Sequence, residues 1–254
     1  MLLRVTAARF DQFAPIEITP SARVFVLTGA GISAESGVRT FRDANGLWEQ
    51  YRVETVASPE GWEEDPELVW RFYSQRRAQA ETVSPNAAHV ALAELEKKIG
   101  ERLFLCTQNV DPLHERGGSK HVWHMHGELM KSRCERVECK RPPFEDHRLY
   151  ETREAIARCE CGGRVRPHIV WFGEVPFFMD EIAAALASCD VFVTIGSSGA
   201  VYPAAGFVRA VRAKRPDAKT VYVGPEMPEN VHAFDECRLG KATEVVPSMF
   251  AVKR

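Results

Sequence analysis

The sequence predicts an α/β fold: a Rossmann-like parallel sheet with helices on both faces, plus a small inserted module. Three observations predict it. Short apolar runs alternate with segments of helical periodicity, the pattern of a parallel sheet covered on both sides. The first strong apolar run ends in a glycine-rich turn, residues 29–37. Two stretches, 43–83 and 131–167, break the alternation. They are assigned to the second module, which leaves 1–42, 84–130 and 168–254 as the main domain.

Taken in order, residues 23–28 (RVFVLT) read as a buried strand feeding the glycine turn. Residues 86–99 place Ala87, Val90, Ala91, Leu95 and Ile99 at helical spacing and stop at Gly100. Further strands are expected at 102–107 (RLFLCT), 165–172, 190–195 (DVFVTI), 219–223 and 244–246, with helices over 179–188 and 203–214. Segment 43–83 is aromatic, polar and expected to be helical, whereas 131–167 is basic, cysteine-rich and loop-like.

Bulk properties exclude several classes. A net charge of −2 gives no bulk grip on nucleic acid or an anionic membrane. No apolar run approaches the roughly 20 residues that cross a bilayer. Residues 1–13 carry no signal-peptide pattern, so a cytoplasmic protein is expected. Four of the seven cysteines fall between Cys134 and Cys161. In a reducing compartment that clustering points to a metal rather than to disulfides.

Gly29 to Ala34 (GAGISA) fits G-x-G-x-x-G/A after a strand, where glycines let backbone approach a pyrophosphate. The same hexapeptide is compatible with a tight turn that holds nothing. A hydride-transfer enzyme would next need a strand ending in an acidic residue about 20 positions on. Glu49 and Glu54 have that spacing, but 41–53 carries no strand pattern. After the second strand comes Thr107-Gln108-Asn109-Val110-Asp111. Asn109 and Asp111 are two apart, so an extended chain turns them the same way, a pairing suited to a carboxamide-sized group. His126, beside Gly127, has the character of a general base on a loop; His121 and His124 are read as structural. Cys134 with Cys139 and Cys159 with Cys161 form two pairs followed by Gly162-Gly163, similar to a zinc ribbon. Four thiolates would leave no open coordination position, so such a zinc would be structural.

These segments together closely resemble the sirtuins, the NAD-dependent protein lysine deacylases, and most of all the desuccinylase/demalonylase-type and bacterial members. The matching pieces run in family order: GAGISAESGVRTFRD, TQNVD, HG, the two cysteine pairs, WFGE and GSSGAVYPAA. They span about residues 24–246. The resemblance implies that Gly29, Ala30, Gly31, Ser33, Glu35, Gly196, Ser197 and Ser198 hold the phosphates and adjoining ribose of NAD. Phe41 and Arg42 would close over the nicotinamide ribose, Gln108 and Asn109 would contact it, Asp111 would take the carboxamide, and His126 would be the base. NAD is then a consumed co-substrate. The acyl oxygen of an acyl-lysine attacks C1′ of the ribose and expels nicotinamide, and His126 takes a ribose proton. Water finally releases lysine and 2′-O-acyl-ADP-ribose. The partner is an acyl-lysine protein or peptide. It would lie extended against Val170, Phe172, Gly173 and Glu174 on one side and residues 199–201 on the other, as an added strand.

Within 70–76 (WRFYSQR), Tyr73 and Arg76 are three apart and share a helix face. They match the Y-x-x-R pair of sirtuins that remove succinyl, malonyl or glutaryl groups. A guanidinium grips a carboxylate at two points and a phenol adds a donor. Ala57 matches the small residue that widens the acyl pocket, and acetyl-lysine is not excluded. Three departures stand out. Gly224 replaces an asparagine that many relatives use for the adenosine ribose, Pro112 replaces a glycine and stiffens its turn, and C-x-C spacing puts the completeness of the zinc site in doubt. Two other readings stay open: mono-ADP-ribosyl transfer, and an NAD-sensing module without catalysis.

Overall fold

The computed structural model describes residues 6–39, 47–48 and 51–253. Phe41 and Arg42 lie outside the described residues. Among these, one large sheet contains β1 (Thr6–Arg9), β2 (Val24–Thr28), β3 (Leu103–Thr107), β4 (Val122–His124), β5 (Val191–Ile195), β6 (Lys219–Gly224) and β7 (Glu236–Leu239). Its order is β1-β7-β6-β5-β2-β3-β4, and each neighbouring pair is parallel.

Alternation along each strand builds two cores. On one face Val24, Val26, Leu105, Val193, Ile195, Val221 and Val223 pack with Leu92 and Leu95 of the helix Ala87–Ile99. On the other, Phe25, Leu27, Cys106 and Phe192 pack with Ile182 and Leu186 of Met179–Ser188 and Val208 and Val211 of Phe207–Lys214. Asn86 caps Ala87–Ile99: its side chain accepts from the Ala88 N–H at 3.0 Å, and its own N–H donates to His89 Nδ1 at 3.2 Å. From β2 the chain runs outward through β3 and β4; β5, β6 and β7 fill the opposite side. The strand order therefore reverses between β2 and β5, which opens a crevice at their carboxyl ends.

A third core belongs to the smaller module. Val69, Trp70, Phe72 and Tyr73 of the helix Pro66–Thr82 pack on Leu129, Cys134, Val165 and Trp171. Arg77, fully buried, ties this helix down. It donates to the carbonyls of Leu129, Lys131 and Arg148 and to Ser132 Oγ, and lies 3.7 Å from Asp146.

Two strand expectations are corrected. Val165–Ile169 is a strand, but it pairs antiparallel with Gly127–Cys134 in a separate three-stranded sheet, not in the large one. Residues 244–246 are not a strand: the helix Ala242–Val245 runs into a 3-10 turn, burying Ala242, Val245 and Val246 against the first core.

Candidate active site

The crevice is built from the ends of four strands. Leaving β2, residues Ala30–Ile32 and Ala34–Ser36 form two 3-10 turns, and Gly37 follows with φ +92°. The loop after β5 meets them at backbone distance. Gly31 donates its N–H to the Gly196 carbonyl at 2.9 Å, and Gly29 donates to Ile195 O at 2.9 Å. A Cβ on Gly31 would stand 2.7 Å from Gly196 Cα, and one on Gly29 2.9 Å from Gly196 O. Gly196 has φ +64°, a left-handed conformation that suits glycine. These glycines are thus needed first for two loops to cross. Ala30 is half-buried at the mouth of this crossing, and Ser33 is buried beneath it.

Leaving β3, Gln108 donates to Ser197 Oγ at 2.9 Å and so joins the two loops across the crevice. Ser198 Oγ caps its own turn by accepting from the Ala200 N–H. Asn109 is buried, with Nδ2 donating to Gly29 O and Ser33 Oγ at 3.2 Å each. Asp111 is buried too. Burial raises its carboxyl above the usual range, while the Leu113 N–H, Ser33 and His124 oppose that rise. His126 Nδ1 lies 3.1 Å from Gln108 O. A carbonyl can only accept, so Nδ1 carries the proton and Nε2 the lone pair. Burial lowers the His126 pKa, which keeps the ring neutral.

The loop after Val165–Ile169 runs beside His126: Val170 N–H donates to His126 O at 2.9 Å, and Phe177 N–H to Met125 O at 2.9 Å. Phe172 is 52% exposed, its N–H donating to Ala57 O at 3.0 Å, and Gly173 takes φ +89°. Glu174 turns inward. Arg166 grips its carboxylate at 2.7 and 3.0 Å, Arg133 reaches both oxygens at 3.2 Å, and the Trp171 N–H donates at 2.8 Å. Arg166 also stacks 3.3 Å from the Trp171 ring centroid. Trp171 Nε1–H donates to Tyr73 Oη at 3.1 Å, which fastens the helix Pro66–Thr82 to this loop. Tyr73 is fully buried, and burial raises its pKa. Arg76 is 6% exposed, donates to Phe72 O at 2.7 Å, and stacks 3.4 Å from the Phe72 ring centroid. Ala57 is buried in the same core. Arg76 and Asp111 line one cavity of about 50 Å³ together with Val38, Arg39, Val110 and Leu129.

The crevice therefore gathers Gly29, Gly31, Ser33, Gln108, Asn109, Gly196 and Ser197, with Asp111 and His126 beside them. Glu35 is held elsewhere: its carboxylate pairs with Lys241 at 3.2 Å and accepts from the Thr243 hydroxyl and N–H. At Gly224, a Cβ would collide with Tyr222 Oη, so the tyrosine two residues back fills that space. Arg133, Arg166 and His124 were not singled out for this site from sequence, whereas Trp171 entered only as part of WFGE. Only their proximity to WFGE and HG hinted at them.

The four cysteines converge at the base of the smaller module. The Sγ atoms of Cys134, Cys139, Cys159 and Cys161 all lie within 4.8 Å of one another, with Cys134–Cys161 at 3.4 Å and Cys139–Cys159 at 3.7 Å. Four thiolates about 2.3 Å from a tetrahedral zinc stand about 3.8 Å apart. The donor set and spacing fit structural zinc, and the C-x-C spacing does not prevent it.

Residues 29–203 match the Sir2 family. The chain is 51% identical over 242 residues to an NAD-dependent protein deacylase of Pasteurella multocida (strain Pm70), covering 92% of this chain and 99% of that one. It is 51% identical over 229 residues to an NAD-dependent protein deacylase of Caulobacter vibrioides, covering 89% and 94%. A Sir2 homolog–NAD complex superimposes with a TM-score of 0.80 at 36% identity, covering 91% of this chain and 89% of that one. A Sir2 mutant–p53 peptide–NAD complex does so with a TM-score of 0.74 at 28% identity, covering 88% and 90%. The chain belongs to the Sir2 family, the sirtuins.

Proposed function

We propose that this protein is an NAD-dependent protein lysine deacylase that removes succinyl- and malonyl-type acyl groups, and acetyl as well, releasing nicotinamide and 2′-O-acyl-ADP-ribose. The observation that carries the deacylase reading is the meeting of Asn109, Asp111 and the neutral His126 at the strand-order reversal, beside the glycine crossing. Names of relatives about half identical to this chain support NAD-dependent deacylation.

The geometry supports the following chemistry. Ser197 offers its hydroxyl to the diphosphate, and Gly29, Gly31 and Gly196, having no side chains, let the diphosphate come close to the crossing backbone. Asn109 faces the nicotinamide ribose and Asp111 accepts from the carboxamide. After the acyl oxygen displaces nicotinamide from C1′, His126 Nε2 takes the ribose proton, since its Nδ1 is committed to Gln108 O. An extended acyl-lysine peptide enters along residues 170–173 and adds there as a strand. Glu174 supports this edge from within, through Arg166 and Arg133.

The acidic-acyl preference rests on Tyr73 and Arg76, a buried phenol and guanidinium on one helix face, with Arg76 lining a cavity shared with Asp111. A buried guanidinium beside a cavity favours an anionic ligand group over a neutral one. Arg76→Met should therefore lower desuccinylation at least tenfold more than deacetylation, measured with matched peptides. Equal loss of both activities would remove Arg76 from acyl recognition. Transfer of label from NAD to protein, instead of deacylation, would favour mono-ADP-ribosyl transfer.

A further inference from the structure

Four successive carbonyls leave β3 through the turn that carries Asn109 and Asp111, and each is held by the end of β4 or the segment just beyond it. Thr107 O accepts from the Met125 N–H at 3.1 Å and Val110 O from the Leu129 N–H at 2.8 Å. Gln108 O faces His126 Nδ1. Asn109 O faces His124 Nδ1 at 2.9 Å, and the other nitrogen of that ring, Nε2, stands 2.7 Å from Glu115 Oε1. A carbonyl and a carboxylate both accept, so both His124 nitrogens must donate. His126 needs one proton for its anchoring bond; His124 needs two.

We propose that His124 is a positioning residue for the nicotinamide end of the site, an imidazolium that ties the Asn109 carbonyl to the Glu115 carboxylate and so fixes the turn from which Asn109 and Asp111 project. This inference rests on the deacylase reading above for the roles of those two side chains, not for the geometry of the ring. His124 is buried, whereas Glu115 is part-exposed beside a cavity of about 300 Å³ that Asp111 and Glu128 also line. The groups facing the ring are Glu115 and His114 from Leu113–Arg116, Glu128 from Gly127–Cys134, Asp111 from the turn, and His168 from Val165–Ile169. Burial pushes the His124 pKa down, but Glu115 and the Asn109 carbonyl outweigh it and the pKa is raised. The sign follows: the tether is complete below that pKa and loses one of its two bonds above it. Deprotonation thus produces an alkaline limb, opposite in sense to the acid limb expected of His126.

Two measurements test the proposal on the intact protein. In 15N spectra of the free protein at pH 6, below the ordinary imidazole pKa, both ring nitrogens of His124 should be protonated; a neutral ring there overturns the proposal, whatever the enzyme turns over. In pH profiles of kcat/KM for NAD at saturating acyl-peptide, Glu115→Gln should move the alkaline limb down by about one unit or more. His124→Gln should abolish that limb and lower kcat/KM about tenfold. An alkaline limb that stays in place in Glu115→Gln overturns the proposal. Absence of NAD consumption by the unmodified protein with every acyl-peptide would instead overturn the deacylase reading, and the ring spectra would still decide His124.

Discussion

His126 shows how one side chain acquires a role from its surroundings. Its Nδ1 proton is spent on Gln108 O, and burial lowers its pKa below the ordinary 6.5. A base must be deprotonated to act, so the titration of His126 should lower kcat/KM on the acid side, with a midpoint below about 6.5. A midpoint above 7 would assign the base elsewhere. His126→Tyr should cut turnover by about 10²–10⁴-fold while NAD binding, followed by calorimetry, persists. The sequence offered His126 and Asn109 through their motifs. It did not offer His124 or Arg166, because a histidine or arginine is solvated in most settings. Only the fold shows that Arg166 is buried against Trp171 and Glu174.

At the scale of elements, the central strands were legible because both faces are buried: VFVLT, LFLCT and VFVTI carry no polar face to hide them. Thr6–Arg9 was missed because it is a largely exposed edge strand with no apolar run. Gly127–Cys134 was missed because its buried Ser132 and half-exposed Lys131 and Arg133 blur the alternation. The run 244–246 was too short for periodicity to separate strand from helix. Two tests belong here. Gly196→Ala combines a left-handed φ with a Cβ 2.5 Å from Ile32 N, and strain alone costs about 1–3 kcal/mol. Thermal unfolding should show a clear loss of Tm, and NAD affinity should drop with it. For the cysteine cluster, metal analysis should find one zinc per chain; a chelator that strips it should lower Tm, and Cys161→Ser should reproduce the loss.

Across the whole molecule, the crevice and the helix carrying Tyr73 and Arg76 come from different bodies of sequence, and their alignment depends on how the smaller module sits on the sheet. Asp146 is central to that module. Burial pushes its carboxyl up, but Arg148, Ser132, Tyr150 and Arg77 outweigh it and hold the pKa at about 2. The folded value is depressed, so the stabilisation is present above the unfolded carboxyl value of about 3.9 and is lost as pH falls toward 2. Asp146→Ala leaves Arg77 buried without its counter-charge and should cost about 3–5 kcal/mol, read from denaturant unfolding at pH 7, with a smaller difference near pH 2. The central claim is that NAD is broken at its nicotinamide bond to carry away an acyl group. It is tested most directly by incubating the protein with NAD and a succinyl-lysine peptide and weighing the products by mass spectrometry. Nicotinamide, deacylated peptide and succinyl-ADP-ribose should form in equal amounts. Deacylated peptide without NAD loss, or NAD loss without deacylated peptide, would contradict it.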